Sequence, residues 1–327
     1  MKHIFIVNPA AGKGKTLPAL LQKITFSCEK LGVDYEIYHT TTVGDGCRYA
    51  KSKCDQNPDE ILRFYACGGD GTMNEIANAL ACKKNAELAV VPIGTGNDFI
   101  RVFTHMENFS DLDKIVEGKP MLMDMIKFGD KYSLNILNIG FDCDVVKRVE
   151  EIKRASWVPN GMAYSIAVTQ VLTKGYGQTF KVTTDDGQVF DGEHLLVAFA
   201  NAQYYGGGYR PAPTALVNDG YMEMCLVDKV SRPTFMKLLP KYKAGTHLSN
   251  MDKTPYIHYV KCKKAYFESA DTVGVCADGE ISPAKRLDIE VIPNAINIVV
   301  PNGSKCFASR KKNKKTENTV EKDEDND

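Results

Sequence analysis

The sequence predicts an α/β unit with a doubly wound parallel sheet, followed by a mainly β unit built as a sandwich. Two observations predict it. Up to about residue 125, strand-like apolar runs alternate with helix-spaced ones, the pattern of βα units. After Asp124 the rhythm changes to short strand-like runs separated by turns. The implied segments are a nucleotide-binding α/β domain over 1–127, a mainly β domain over 128–305 and a charged tail over 306–327.

In order along the chain, His3-Ile4-Phe5-Ile6-Val7 reads as a first strand. Leu17, Leu20, Leu21, Ile24, Cys28 and Leu31 keep helical spacing, with Gly32 as a stop. Val33 to His39 alternates like a strand, and the run around Tyr49-Ala50 returns to helix. The run from Ile61 to Cys67 is again a strand, leading through glycines into a helix that reaches Leu80. Leu88 to Val91 is the next strand. Beyond Asp124, Asp130-Lys131-Tyr132 marks a turn, and Phe180–Thr183, Tyr221–Cys225 and Ile296–Val300 read as short strands. Helical stretches around 144–151 and 163–172 interrupt them.

Three strand ends carry small glycine-containing polar loops: Asn8-Pro9-Ala10-Ala11-Gly12, Gly68-Gly69-Asp70-Gly71-Thr72-Met73-Asn74-Glu75, and Gly94-Thr95-Gly96-Asn97-Asp98-Phe99. In an open parallel sheet such loops gather at the carboxyl edge, where ligands bind. Glycines let the backbone approach an anion, and the first N–H groups of a following helix point at it. Two phosphate motifs are excluded. A Walker A loop needs glycine where Pro9 stands, and a dinucleotide fingerprint needs glycine where Asn74 or Phe99 stands. A carboxylate inside such a turn repels phosphate unless a cation offsets it, so Asp70 points to a metal or a proton acceptor. Read alone, Asp70 and Asp98 are helix caps and Asp124 an exposed strand residue.

Composition narrows the class. Lysine plus arginine equals aspartate plus glutamate at 41 each in 327 residues, so no global field draws the chain to nucleic acid or anionic lipid. No apolar run nears the roughly 18 residues of a membrane span. The N-terminus enters a strand rather than a signal peptide. The ten cysteines form no Cys-x-x-Cys pair and read as reduced core residues of a cytoplasmic protein. The tail pairs a basic run at 310–315 with an acidic one at 321–327, the composition of a disordered segment.

At these intervals the three loops resemble the diacylglycerol kinase catalytic family, closest to its soluble bacterial lipid kinases, which are related to sphingosine and ceramide kinases. The resemblance runs from Met1 to about residue 305 and includes Tyr205-Gly206-Gly207-Gly208-Tyr209, the segment from Pro213 to Gly220, and Ala277-Asp278-Gly279-Glu280. It implies a cleft between the two domains. It also implies ATP as donor, with Asn8 through Gly12, Thr40, Gly69 through Glu75 and Thr95 as the nucleotide site. Thr41 competes with Thr40, because three threonines in a row leave the register open. Asp70, Asp98 and Asp124 match aspartates that the family links through water, a cluster expected to gather Mg²⁺. Glu280 matches the family's candidate general base, with Asp70 as competitor. A second, structural Mg²⁺ is implied at Asp219 and the carbonyls of Leu216 and Tyr221, although Asn218 stands where a second aspartate is common. Tyr204, Tyr205, Tyr209 and Trp157 read first as core or edge packing, with an acyl-chain rim as the alternative.

The implied function is an ATP-dependent, Mg²⁺-requiring lipid kinase, with diacylglycerol as the leading acceptor and phosphatidic acid as product. It would touch the membrane surface only transiently, and a homodimer stays open. Other acceptors are a sphingoid base, another lipid or NAD, since NAD kinases share the Gly-Gly-Asp-Gly turn. The alternative of another class is a catalytically silent nucleotide- or lipid-binding module.

Overall fold

A computed structural model describes residues 1–11, 17–94, 97–154, 162–174, 176–249 and 254–309. Gly12, Thr95, Trp157 and the charged tail from Arg310 lie outside the described residues.

The first unit is a parallel sheet. Strands β1 (Lys2–Val7), β2 (Tyr35–His39), β3 (Leu62–Gly68) and β4 (Ala86–Pro92) lie in the order β4-β3-β1-β2. Helices α1 (Leu17–Leu31), α2 (Asp45–Gln56) and α3 (Asp70–Leu80) make the crossovers. Successive strand residues face opposite sides. Ile4, Ile6, Phe64 and Ala66 therefore pack with α2 and α3, while Phe5, Val7, Tyr65 and Cys67 pack with α1 and the short α4 (Leu112–Val116). Both faces of each central strand are buried, which is why these strands read as continuous apolar runs.

The second unit comprises β5 (Lys119–Phe128), β6 (Lys131–Ser133), β7 (Ile136–Gly140), α5 (Phe141–Arg154), α6 (Met162–Lys174), β8 (Gln178–Thr184), β9 (Val189–Ala200), β10 (Met222–Asp228), α7 (Arg232–Ala244), β11 (Ile257–Cys262), β12 (Lys264–Ala277) and β13 (Glu280–Val300). Strands β7, β9, β8 and β12 pair in a closed antiparallel circuit around an apolar core that includes Leu137, Phe180, Val197, Phe199 and Phe267. The other side of β9 and β10 is covered by α5, α6 and α7. The layers of the sandwich are thus joined edge to edge.

One strand ties the units together. β13 pairs with β12 over its first half. Its second half runs antiparallel to β5 and meets β4 in parallel, with Ile298 opposite Leu88. Ile296 and Ile298 belong to the core of the first unit, although they lie near the end of the chain. All strands form one 13-stranded hydrogen-bonded sheet, so the two units share a rigid backbone connection.

Candidate functional site

The loops after β1, β3 and β4 meet at the carboxyl edge of the parallel sheet. Asn8 Nδ2 donates to Thr72 Oγ1 at 3.1 Å, while its Oδ1 accepts from Ala10 N at 3.0 Å. Asn8 thereby ties the first loop to the start of α3. The N–H groups of Ile93 and Gly94 both donate to the Gly68 carbonyl. A Cβ on Gly94 would come within 2.5 Å of the Gly69 Cα, so backbone packs directly on backbone here. Gly71 is exposed, and a Cβ there would meet nothing within 4 Å among the described residues, so the first turn of α3 is uncovered by them. The opening N–H groups of a helix have no partner within it, and those of α3 face this edge.

Around this turn the nucleotide candidates divide. Thr41 donates from both its N–H and its hydroxyl to the Asp45 carboxylate, capping the α2 end, whereas Thr40 follows β2 and donates to the Val7 carbonyl. The register left open by three threonines therefore assigns Thr40 to the sheet edge. Glu75 Oε1 accepts from Cys47 N at 3.0 Å and fixes α2 against α3. Two expected contacts face inward: the Met73 side chain is in the core, and Asn74 is buried, accepting from Asn78 Nδ2. Helical geometry explains both, because positions four and five of α3 turn towards the sheet when positions two and three face out. Pro9, Ala10 and Ala11 form the turn after β1, with Ala11 N closing onto the Asn8 carbonyl.

Asp70 and Asp98 come into direct contact. Asp98 N donates to Asp70 Oδ1 at 3.0 Å. Asp98 Oδ1 accepts from Arg101 Nε at 2.9 Å and Oδ2 from Gly207 N at 2.6 Å. Asp98 is buried and caps no helix through its side chain. It links the first unit to the glycine loop of the second. Burial and the charge of Asp98 hold the Asp70 carboxyl above the usual carboxylate range, against the N–H groups of Asn97 and Asp98. Arg101 is the functional candidate that sequence reasoning missed. Its signal was spacing, three residues beyond Asp98.

Asp124 is fully buried, not an exposed strand residue. Its Oδ2 accepts from Gly220 N at 2.7 Å and its Oδ1 from Asn294 N at 2.8 Å. No hydrogen bond or ion pair joins it to Asp70 or Asp98 among the described residues; its charged neighbour is Asp219. Burial raises its pKa, the two N–H groups oppose that rise, and Asp219 adds to it. Asp219 in turn accepts from Lys261 Nζ at 2.5 Å and from Tyr221 N at 3.1 Å. Lys261 and Lys263 each stand 5.0 Å from the centre of the Tyr221 ring.

Glu280 opens β13 at the tip of the β12–β13 hairpin, opposite Ala277. The two turn residues, Asp278 and Gly279, have φ of 48° and 94°, the tight hairpin that Asp-Gly favours. Asp278 faces inward and accepts from Ser133 Oγ and from the N–H groups of Leu134, Asn135 and Ile136. Burial pushes it up to about 6 despite those donors. Asp278 therefore fastens the hairpin, and Glu280 is exposed with no side-chain hydrogen bond or ion pair among the described residues. Its charge reaches Cys47 at the start of α2, on the nucleotide side.

In the second unit, Tyr205 and Tyr209 are buried rather than rim residues. Tyr205 donates to the buried Asp142 carboxylate, which burial raises to about 6. Tyr204 carries Arg210 over its ring at 5.3 Å.

With this geometry in place, comparison with known proteins is decisive. Residues 2–128 match the diacylglycerol kinase catalytic domain, and residues 135–300 match the YegS C-terminal NAD kinase beta sandwich-like domain. A diacylglycerol kinase of Staphylococcus saprophyticus is 30% identical over 306 residues, covering 92% of this chain and 95% of that protein. The chain belongs to the diacylglycerol kinase family. A Staphylococcus aureus relative of the same name is also 30% identical, covering 91% of each chain. A crystal structure of a Bacillus anthracis diacylglycerol kinase superposes with a TM-score of 0.67 at 24% identity, covering 92% of this chain and 97% of that one. The family membership makes the chain a kinase that uses ATP.

Proposed function

We propose that this kinase transfers the γ-phosphoryl group of ATP to a lipid hydroxyl, with diacylglycerol as acceptor and phosphatidic acid as product. The observation that carries the proposal is the Asp70–Asp98–Arg101 constellation beside the open first turn of α3. Asp70 is half-buried against a like charge, and Arg101 is the only cation paired with the two carboxylates among the described residues. Such a donor set fits Mg²⁺, which takes one or two carboxylates together with phosphate oxygens. Asp70 and Asp98 would hold the ion, which supplies charge neutralisation on the phosphates during transfer.

The chain's own residues do the rest. The α3 N-terminus, with Gly69, Gly71 and Thr72, binds phosphate through backbone and hydroxyl donors, and Gly12 and Thr95 complete that set. Asn8 fixes the Thr72 hydroxyl, and Glu75 holds α2 in place beside Thr40. Glu280 takes the proton of the attacking hydroxyl: it is exposed, unpaired among the described residues and mounted on a hairpin that Asp278 pins. Asp98 joins the donor site to the Gly207 loop and so aligns the acceptor side. Asp124 acts at one remove, by setting the Gly220 turn. At that turn a second Mg²⁺ on Asp219, Leu216 and Tyr221 has to displace the Lys261 ammonium.

No helix among the described residues is long and apolar enough to cross a membrane. A cytoplasmic enzyme that meets its lipid by transient contact with the bilayer accords with that. The test is transfer of labelled γ-phosphate to dispersed lipids and to NAD, with Mg²⁺ or chelator. Labelled diacylglycerol that vanishes with chelator and in Glu280→Ala supports the reading. Label on NAD alone, or on nothing, defeats it.

A further inference from the structure

The three glycines between Tyr205 and Tyr209 offer no side chain to hold their loop. They take φ of 58°, 82° and 100°, a left-handed run that glycine adopts without strain. Tyr205 N donates to the Tyr209 carbonyl at 3.0 Å and Tyr209 N to the Tyr205 carbonyl at 2.9 Å, which closes the loop into a ring. The ring reaches the first unit at two points. Gly207 N donates to Asp98 Oδ2 at 2.6 Å, and a Cβ on Gly208 would stand 3.6 Å from the Arg101 guanidinium carbon. Its orientation therefore depends on the tyrosines that flank it.

Both tyrosines are buried, and Tyr205 is fastened from below. Its hydroxyl donates to the carboxylate of Asp142, in the first turn of α5, and lies 3.5 Å from the Tyr242 hydroxyl of α7. Asp142 shares a narrow apolar cavity with Phe141, Leu195, Leu196, Phe235 and Leu238. Besides the two tyrosines, the titratable groups near it are Cys143 of its own helix, Cys225 of β10 and Cys276 of β12, and no cation stands among those described. A carboxylate buried without a cation costs stability, and a well-packed apolar residue would cost less. What the ionised acid adds is an acceptor-only group. It compels the Tyr205 hydroxyl to donate, in a charge-assisted bond stronger than a neutral one.

We propose that Asp142 and Tyr205 are positioning residues for phosphoryl transfer. Their bond holds the Gly206–Gly208 loop on Asp98 and Arg101, and so sets the acceptor side of the site against the ATP side. Neither residue touches the reacting atoms. The inference rests on the kinase reading, in which Asp98 belongs to the donor site.

The test compares Tyr205→Phe, and Asp142→Leu combined with Tyr205→Phe, against the wild type. The double variant leaves neither member of the pair unanswered, so it should unfold at least as stably as the wild type. Both variants should lose about 10- to 100-fold in kcat for transfer to dispersed diacylglycerol, with KM for ATP unchanged, because a displaced loop costs alignment rather than nucleotide binding. Amide hydrogen exchange across residues 205–209 should quicken in both. Tyr176→Phe removes a tyrosine hydroxyl from the Val230 carbonyl in the same unit and should match the wild type in rate and exchange. A stable double variant with wild-type kcat overturns the proposal. So does unchanged exchange in the loop, or a control that slows as much. If the double variant fails to fold, Tyr205→Phe decides alone by the same readings. A wild type that labels no lipid defeats the kinase reading and the positioning role with it, while the exchange result separately reports whether the bond holds the loop.

Discussion

Two pairs of aspartates sit where the units of this protein meet, and they are held differently. Asp70 with Asp98, and Asp124 with Asp219, each place like charges close together, and burial raises Asp70 and Asp124 alike. What differs is how the charge is answered. Asp124 has both oxygens on backbone N–H groups, and Asp219 has a lysine. In the first pair Arg101 is the one paired cation among the described residues, beside an exposed glycine turn. Each pair therefore has one cation for two carboxylates, and on the proposed reading it is the exposed glycine turn beside Asp70 that makes the first the metal site.

The largest effect expected outside the two pairs is at Glu280. Replacing it with glutamine should lower kcat by roughly 10²–10⁴-fold, as loss of a general base does, with KM for ATP little changed. If Asp70 serves as the base instead, Glu280→Gln will keep most of its turnover, and steady-state kinetics separates the two.

The next effect is on stability and its pH dependence. Asp142, like Asp278, has a folded pKa of about 6, raised from 3.8 by burial. The folded state therefore binds protons more tightly than the unfolded one. Stability from this source is present below about pH 4 and is lost as pH rises to about 6. Asp142→Asn removes its share, so the variant should gain on the wild type by up to about 3 kcal/mol across that window and stay level above it. Urea unfolding at several pH values checks the sign. A variant that gains on the wild type as pH falls would contradict it.

Smaller again is Gly94→Ala. The added methyl meets the Gly69 backbone at 2.5 Å, so the two glycine loops must separate. A cost of about 1–3 kcal/mol is expected, with KM for ATP raised. An unchanged KM would show that loop spacing does not set nucleotide binding. The smallest is Lys261→Met. It frees Asp219 and should let Mg²⁺ raise the melting temperature of the nucleotide-free protein by a few degrees, an effect that Asp219→Asn abolishes. No gain in the variant would mean that Lys261 does not compete with the ion.

Much of this was legible in the sequence. Strands buried on both faces announce themselves as apolar runs, so β1, β3 and β4 and the helices between them stand where periodicity puts them. The glycine loops marked the carboxyl edge of the parallel sheet, where only glycine tolerates the Gly69–Gly94 approach. Other features were hidden for physical reasons. The first half of β13 is rich in charge, with Lys285, Arg286, Asp288 and Glu290, since one side faces water, so its 21-residue span does not read as a strand. That strand carries Ile296 and Ile298 back to the first unit, a contact that no local pattern encodes. Asp124 looked like an exposed residue because its partners, Gly220 and Asn294, are distant in sequence. Met73 shares a segment with the exposed Gly71 but points inward by helical phase.

The direct test is to compare Asp70→Asn with Asp124→Asn, measuring both the rate of phosphoryl transfer and the free energy of unfolding. Asp70→Asn should lose on the order of 10³-fold or more in kcat while unfolding at least as stably as the wild type. Asp124→Asn turns an amide onto one of two N–H donors and should lose about 1–3 kcal/mol, with kcat within about tenfold of wild type when assayed well below its melting temperature. Equal collapse of kcat in both, with stability untouched, would join Asp124 to the catalytic cluster and contradict the division of labour argued above.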